Sequence, residues 1–296
     1  MSAASNMNGQ VCVVTGATSG IGFVAARELA RRGASVAAVG KDAIRLQDSV
    51  RQILEAAPGA AVRGFLADLS LQAEVHRLSG ELLAAYPRIH ALLNNAGAIF
   101  TKREVTSEGF ERTWALNVVT PFLLTRLLFP RLVSSAPARV VNVASAAHHG
   151  ARLDFENLQG ERRFSGYRAY GRSKLAVLLE TYQFARRTAD AGVTVNALHP
   201  GFVATHFAQN NKGVVGGATH FFAILFGISP DKGARTSIFL MSDPSVEKVS
   251  GKYFVRSQAV ASSPASYDTA SGERLWDVLS VQTSLPADTV STGSGS

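Results

Sequence analysis

The chain has 296 residues, 46% of them hydrophobic and 18% charged, which reads as a soluble globular protein with enough apolar matter for one large α/β domain or two small ones. Its one cysteine, Cys12, excludes an internal disulfide framework and a cysteine-based zinc site and fits a reducing compartment. The formal charge of +8 is scattered along the helical patterns with no basic block, so small anionic ligands explain it better than nucleic acid.

The opening "MSAASNMNGQ" has neither a cationic start nor an apolar segment of signal-peptide length, so no export signal is expected, and residues 1–8 read as a flexible lead. Apolar, β-branched runs then alternate with longer helical patterns: "VCVVTG", "GFVAARELARRG", "SVAAVG", a helix from about Ala43 to Ala57, and "AVRGFLADL". The alternation continues through "HALLNNAG", one long helix around "FERTWALNVVTPFLLTRLLFPRLVSS", "ARVVNVAS", a helix from about Tyr167 to Asp190, "VTVNALHPG" and "GKYFV". Such a pattern predicts a Rossmann-type, doubly wound sheet of about seven mainly parallel strands with helices on both faces. No linker composition and no fixed-period repeat interrupts it, so residues 9–283 are expected to form a single domain. The closing "SLPADTVSTGSGS", residues 284–296, is small, polar and aperiodic and reads as a flexible tail. "FFAILFGI" at 221–228 is taken as the longest greasy stretch, far short of the roughly 20 residues that cross a bilayer, so no transmembrane segment is expected.

The first strand runs into "TGATSGIG", where Gly16, Gly20 and Gly22, with Thr18, Ser19 and Ile21 between them, form a tight loop that opens a helix. Backbone N–H groups and the helix N-terminus there suit a pyrophosphate at close range, so the loop is a candidate dinucleotide site. After the third strand, Asp68 and Leu69 are placed to meet an adenine, although "DLSLQAE" also makes Asp68 a candidate helix N-cap. At the end of the second strand, Gly40 offers no carboxylate to a ribose 2′-hydroxyl, Lys41 follows as a partner for a 2′-phosphate, and Asp42 is expected to cap the next helix. NADP(H) is therefore favoured over NAD(H).

In "SGYRAYGRSKL", Tyr170 and Lys174 are four residues apart and stack on one helical face with Cβ atoms roughly 5–6 Å apart. Tyr167 is about 10.5 Å from Lys174 along the axis. An ammonium next to a phenol in a dry site is expected to bring its pKa toward the working range, which selects Tyr170 as the proton donor and acceptor. Its companions are "NNAG" at 94–97, Asn117 within the long helix, Ser145 closing "RVVNVAS", and "HPG" at 199–201. All but Asn117 lie at the C-terminal ends of predicted parallel strands, where open α/β sheets bind ligands. "HHG" at 148–150 reads as a loop at the mouth of the site rather than half of a zinc site, and no metal is expected.

Taken together, these motifs resemble the short-chain dehydrogenase/reductase family over nearly the whole chain, from about Gly9 to about Thr283. The resemblance implies that Ser145 hydrogen-bonds the reacting oxygen, Tyr170 exchanges the proton with it, Lys174 holds the nicotinamide ribose, and Asn117 supports a water leading from Lys174 to solvent. It further implies that Asn95, Ala96 and Gly97 line the adenosine ribose and the floor of the site, that Pro200, Gly201, Val203 and Thr205 frame the nicotinamide, and that Asp68 takes the adenine. The long Ser145–Tyr170 separation and the tail "SGKYF" followed by "ERLWDVLS" are similar to the retinol dehydrogenase and protochlorophyllide reductase branch. With Cys12 as its only cysteine the chain does not fit a light-driven pigment reductase. The expected activity is carbonyl reduction, or the reverse alcohol oxidation, on an apolar small molecule. Ala147, Tyr167, Phe207, Phe221 and Phe222 are candidate pocket residues, and a segment at about 205–230 is the expected substrate cover. By the same resemblance the enzyme is expected to be a cytoplasmic homodimer or homotetramer, with peripheral membrane contact through the greasy segment as a further reading. Two alternatives are an extended-type sugar-nucleotide epimerase or dehydratase, against which the glycine spacing speaks, and a cofactor-binding scaffold without turnover, against which the intact Ser-Tyr-Lys-Asn set speaks.

Overall fold

The computed structural model describes residues 5–201 and 229–287. Its strands are β1 (Val11–Thr15), β2 (Ser35–Gly40), β3 (Val62–Leu66), β4 (Ala91–Asn94), β5 (Ala138–Val143), β6 (Val193–His199), β7 (Tyr253–Val255) and β8 (Gln258–Val260), in the sheet order β3-β2-β1-β4-β5-β6-β7-β8. β1 to β7 pair in parallel and β8 pairs antiparallel with β7. The helices are α1 (Gly20–Arg31), α2 (Ala43–Ala56), α3 (Gln72–Ala85), α4 (Arg112–Trp114), α5 (Thr120–Val133), α6 (Gly166–Arg187), α7 (Pro230–Ser242) and α8 (Thr269–Gln282).

Central strands are apolar without alternation because both faces are covered. Successive residues feed opposite layers, as the two-residue period of a strand requires. Val13 and Leu92 join the core under α3, α5, α6 and α8, whereas Cys12, Val14 and Leu93 join the core under α1, α2 and α7. Trp276 of α8 closes the first layer, edge-on to Phe122 at 5.0 Å and to Phe184 at 4.8 Å. The strand order turns back between β1 and β4, which opens a crevice at their carboxyl ends, the place where open α/β sheets take ligands.

Four features depart from the sequence expectation. The eighth strand is a three-residue edge reached through Arg256 and Ser257, both with positive φ (51° and 62°), and neither glycine nor asparagine announces that turn. The single long helix is broken into α4, a π turn at Ala115–Val119, and α5. The packed body extends beyond 9–283 at both ends: Met7 is buried and donates its N–H to Arg32 O, and Trp276 Nε1 donates to Ala287 O at 3.0 Å. Finally, among the described residues one helical run, Arg112–Val133, is long and apolar enough to cross a membrane, with a window of mean hydropathy 1.3 that is 72% buried inside the fold.

Candidate active site

The nucleotide end is built mostly from backbone. β1 ends at Thr15, Gly16 turns with φ +66°, and α1 starts at Gly20 with no acidic residue in its first turn. The first N–H groups of an α-helix have no intrahelical partner, which makes the start of α1 a ready anion site. Gly22 packs so closely that a Cβ there would lie 2.2 Å from Gly16 O and 2.4 Å from Asn95 Nδ2. Asn95 Nδ2 in turn donates to Thr15 O at 2.8 Å, and Thr15 Oγ1 accepts from Asn95 N and Ala96 N at 2.9 and 3.0 Å. Thr15, a residue that sequence reasoning passed over, thus ties the β1 loop to the β4 loop, and the strand pattern alone carries no signal for it.

Thr18 rests against Gly40, where a Cβ would lie 2.3 Å from its methyl group. Lys41 follows on the surface, and Asp42 caps α2 by accepting from Arg45 N at 3.0 Å, as expected. Asp68 is not the cap of α3. Its carboxylate accepts from Ser70 N and Ser70 Oγ at 3.0 and 2.7 Å, and Glu108 reaches across to accept from Gln72 N and Ala73 N at 2.6 and 3.0 Å. Burial raises the Asp68 pKa, but the Ser70 hydrogen bonds and the charges of Lys41 and Arg112 outweigh it and hold the group below the usual carboxylate range. Leu69 is buried beside it, with its carbonyl hydrogen-bonded to Thr120 Oγ1.

At the catalytic end, β5 releases the chain at Val143 and Ser145 follows in extended backbone, its Oγ accepting from Ala147 N at 3.2 Å. Tyr170 and Lys174 come from α6, and the Ser145 side chain stands close enough to the Tyr170 hydroxyl to lower its pKa. Lys174 Nζ donates to Val143 O at 2.8 Å and lies 5.7 Å from the Tyr170 ring centroid. The π turn delivers Asn117 inward, where Oδ1 accepts from Ala98 N at 3.0 Å and Nδ2 donates to Ala98 O at 2.9 Å and to Ser173 Oγ at 3.1 Å. Gly97 sits between the two groups: a Cβ there would stand 3.1 Å from Asn117 Oδ1 and 3.4 Å from Lys174 Nζ. Ser145, Tyr170, Lys174 and Asn117 therefore converge from three separate parts of the chain: the end of β5, the π turn and α6.

The electrostatics differ from the expectation that Lys174 would lower the Tyr170 pKa. Burial dominates both groups, pushing Tyr170 up to about 12 against the lowering influence of Ser145 and Lys174 down to about 8, partly offset by Glu180. The ammonium donates to a backbone carbonyl, Val143 O, and not to the phenol.

Other expected site residues divide clearly. Pro200 and Gly201 follow β6 at the same edge of the sheet. Ala147 and Tyr167 are exposed, Tyr167 at 57%, whereas Asn117 and Lys174 are buried and Ser145 and Tyr170 half-buried. Val203, Thr205, Phe207, Phe221, Phe222 and nearly all of the 205–230 segment lie outside the described residues. His148, expected on a loop at the mouth, is fully buried: its Nδ1 is 2.6 Å from Ser145 O and its Nε2 accepts from Ser263 N at 3.1 Å. Among the described residues no group of three or more His, Cys, Asp or Glu side chains is arranged to hold a metal ion.

Comparison with known proteins agrees with this geometry. The family profile described as short chain dehydrogenase matches residues 10–213. Retinol dehydrogenase 12 of Mus musculus is 38% identical over 270 residues, covering 91% of this chain and 85% of its own. Among solved structures, an uncharacterized protein from Mycobacterium paratuberculosis superposes with a TM-score of 0.77 at 29% identity, covering 95% of this chain and 96% of that one. A putative NAD(P) dependent gluconate 5-dehydrogenase from Beutenbergia cavernae, with bound NADP, superposes with a TM-score of 0.68 at 27% identity, covering 85% and 96%.

Proposed function

Because the chain belongs to the short-chain dehydrogenase/reductase family, in its retinol dehydrogenase-like branch, and is thus an NAD(P)-dependent oxidoreductase acting on CH–OH groups, we propose that it is an NADPH-dependent reductase of lipophilic or aromatic aldehydes and ketones, or the dehydrogenase of the matching alcohols. The observation that carries the reading is the convergence of Ser145 beside the Tyr170 hydroxyl with Lys174 Nζ and Asn117 Oδ1, both facing the open side of Gly97. The turn at Gly16 and Gly22, where an added Cβ would stand 3.0 Å from Asn95 Nδ2 and 2.2 Å from Gly16 O respectively, and the first turn of α1 suit a dinucleotide.

A nicotinamide bound along this crevice supplies or accepts the hydride. In reduction, negative charge develops on the carbonyl oxygen, and Ser145 Oγ and Tyr170 Oη donate to it, Tyr170 giving up its proton to form the alcohol. In oxidation the same phenol takes the proton back. Lys174 and Asn117 would hold the nicotinamide ribose and the route by which Tyr170 is reprotonated, and Asp68, Leu69 and the Asn95–Gly97 backbone would hold the adenosine half. Exposed Lys41 beside Gly40, with no acid at either the strand end or the start of α1, supports the 2′-phosphate of NADP(H). Apolar residues in the 205–230 segment and the retinol dehydrogenase relatives support a lipophilic substrate. We extend the reading to a cytoplasmic enzyme that forms a homodimer or homotetramer, with peripheral membrane contact through that segment; a single buried Cys12 suits the reducing compartment.

Oxidation of NADPH and, separately, NADH is measured against retinal, long-chain aldehydes, aryl and steroid ketones, and small polar ketones. Turnover with NADPH on the apolar members is the expected result. Tight NADPH binding with no turnover on any carbonyl would instead identify a nucleotide-binding scaffold.

A further inference from the structure

β5 and β6 part company just before the active serine. Their final backbone bond is Ala144 N to Leu198 O at 2.8 Å, and beyond it Ser145 has no strand partner to fix its height above the sheet. The next peptide group, between Ser145 and Ala146, is held by two imidazoles. On one side Ala146 N–H donates to His199 Nδ1 at 3.3 Å, from the last residue of β6. On the other, His148 Nδ1 lies 2.6 Å from Ser145 O, while its Nε2 accepts from Ser263 N at 3.1 Å.

These partners dictate the tautomers. An Nε2 that accepts a backbone N–H carries no proton, so the His148 proton sits on Nδ1 and is donated to Ser145 O. His199 Nδ1 accepts and is likewise bare. Burial lowers the pKa of both rings, that of His199 to about 4, so both stay neutral. His148 is fully buried, edge-on to Tyr253 at 5.2 Å, and Ser263 lies in a hydroxyl-rich segment where Ser262 Oγ bonds Tyr182 Oη and Ser266 Oγ at 2.7 and 2.6 Å. The serine loop is thereby tied to a part of the chain 115 residues away.

We propose that His148 and His199 are positioning residues which, from opposite sides, hold the C=O and N–H of the Ser145–Ala146 peptide and so set where Ser145 Oγ meets the substrate oxygen. The proposal rests on the reading of Ser145 as a donor to that oxygen. Misplacing such a donor by an ångström costs about 100-fold in rate, without touching the cofactor cradle.

The test uses the full chain with the best carbonyl of the panel. His148→Phe keeps the ring against Tyr253 but loses both bonds, and His199→Leu loses its acceptor. Both are expected to lower kcat about 10- to 100-fold with the NADPH Kd within about twofold. His148→Asn, which places an amide N–H near Nδ1, and His199→Asn, which places a carbonyl there, are expected to recover most of that loss. In a Ser145→Ala background, His148→Phe is expected to cost less than about twofold more, because its effect runs through the serine. Equal losses in both backgrounds, or a full rate in His148→Phe, would overturn the proposal. If the phenylalanine variant does not fold, His148→Gln replaces it, since it can take the Ser263 N–H yet leaves Ser145 O with only the backbone N–H of residue 148, at 3.2 Å, as donor. Absence of turnover by the wild type on every carbonyl would refute the role of Ser145 itself, an outcome distinct from a rate that survives loss of the clamp.

Discussion

The two ends of the crevice use different materials. At the proposed nucleotide end the chain offers backbone N–H donors in the Gly16 to Gly22 turn, and close packing keeps side chains out: a Cβ on Gly22 would sit 2.2 Å from Gly16 O. At the proposed catalytic end the groups are side chains held by hydrogen bonds to backbone or to other side chains: Asn117 by the Ala98 backbone and Ser173 Oγ, Lys174 by Val143 O, while the peptide after Ser145 meets His148 and His199. Substitutions at the first end should therefore act on cofactor affinity and stability, and those at the second on turnover. The comparison breaks if the two readouts mix.

The largest effect is expected at Tyr170. Tyr170→Phe removes the proton donor and should lower kcat by about 10²- to 10⁴-fold, with NADPH affinity nearly unchanged in a fluorescence titration. Tyr167→Phe, on an exposed ring, should keep most of the rate. The reverse pattern would mean that the wrong tyrosine has been assigned.

Gly22→Ala should do the opposite. The added methyl collides with backbone at Gly16 and with Asn95, neither of which is a flexible end, and overpacking of this kind costs about 1–3 kcal/mol. A fall in Tm with a weaker NADPH Kd, and residual kcat at saturating cofactor, is the expected result; unaltered binding would show that the cradle is not where the pyrophosphate lies. Lys41→Ala is milder. Loss of one charge-assisted contact at an exposed site should weaken NADPH relative to NADH by about tenfold, read as the ratio of the two kcat/KM values. An unchanged ratio would remove Lys41 from cofactor choice.

The same division explains what the residue pattern discloses. The strands of a doubly wound sheet are apolar runs and its phosphate loop is a glycine spacing, so β1 to β7 and the loop were legible. Tyr170 and Lys174 were legible as a helical pair because four residues make one turn. The His148–Ser263 bond spans 115 residues, the Thr15 clamp 80, and the Asn117 orientation depends on a π turn, and no local periodicity encodes any of these. β8 was hidden because its turn uses Arg256 and Ser257 at positive φ where glycine or asparagine is the usual signal. The Tyr170 environment was misjudged for a related reason: spacing shows that an ammonium is near, not that it donates to Val143 O.

The smallest effect expected concerns Glu180, six residues beyond Lys174 on α6. It is 2% exposed, and its Oε1 has no hydrogen-bond partner. Burial pushes its pKa well above the ordinary 4.5, and the pull of Lys174 only partly opposes this. Below pH 4.5 the carboxyl is neutral in both folded and unfolded chains and costs nothing extra. As pH rises above 4.5 the unfolded chain releases the proton while the folded chain keeps it, so stability declines with pH until the folded value is passed. Glu180→Gln is neutral throughout and removes that slope. Wild type and variant should melt together near pH 4 and separate as pH rises toward 7.5, the variant higher by about 2–4 °C for each kcal/mol regained. A constant difference at every pH would show that the carboxyl acts through packing. A variant that loses kcat while gaining Tm would instead place Glu180 in the electrostatics of Lys174, extending the catalytic end of the crevice one and a half turns further along α6.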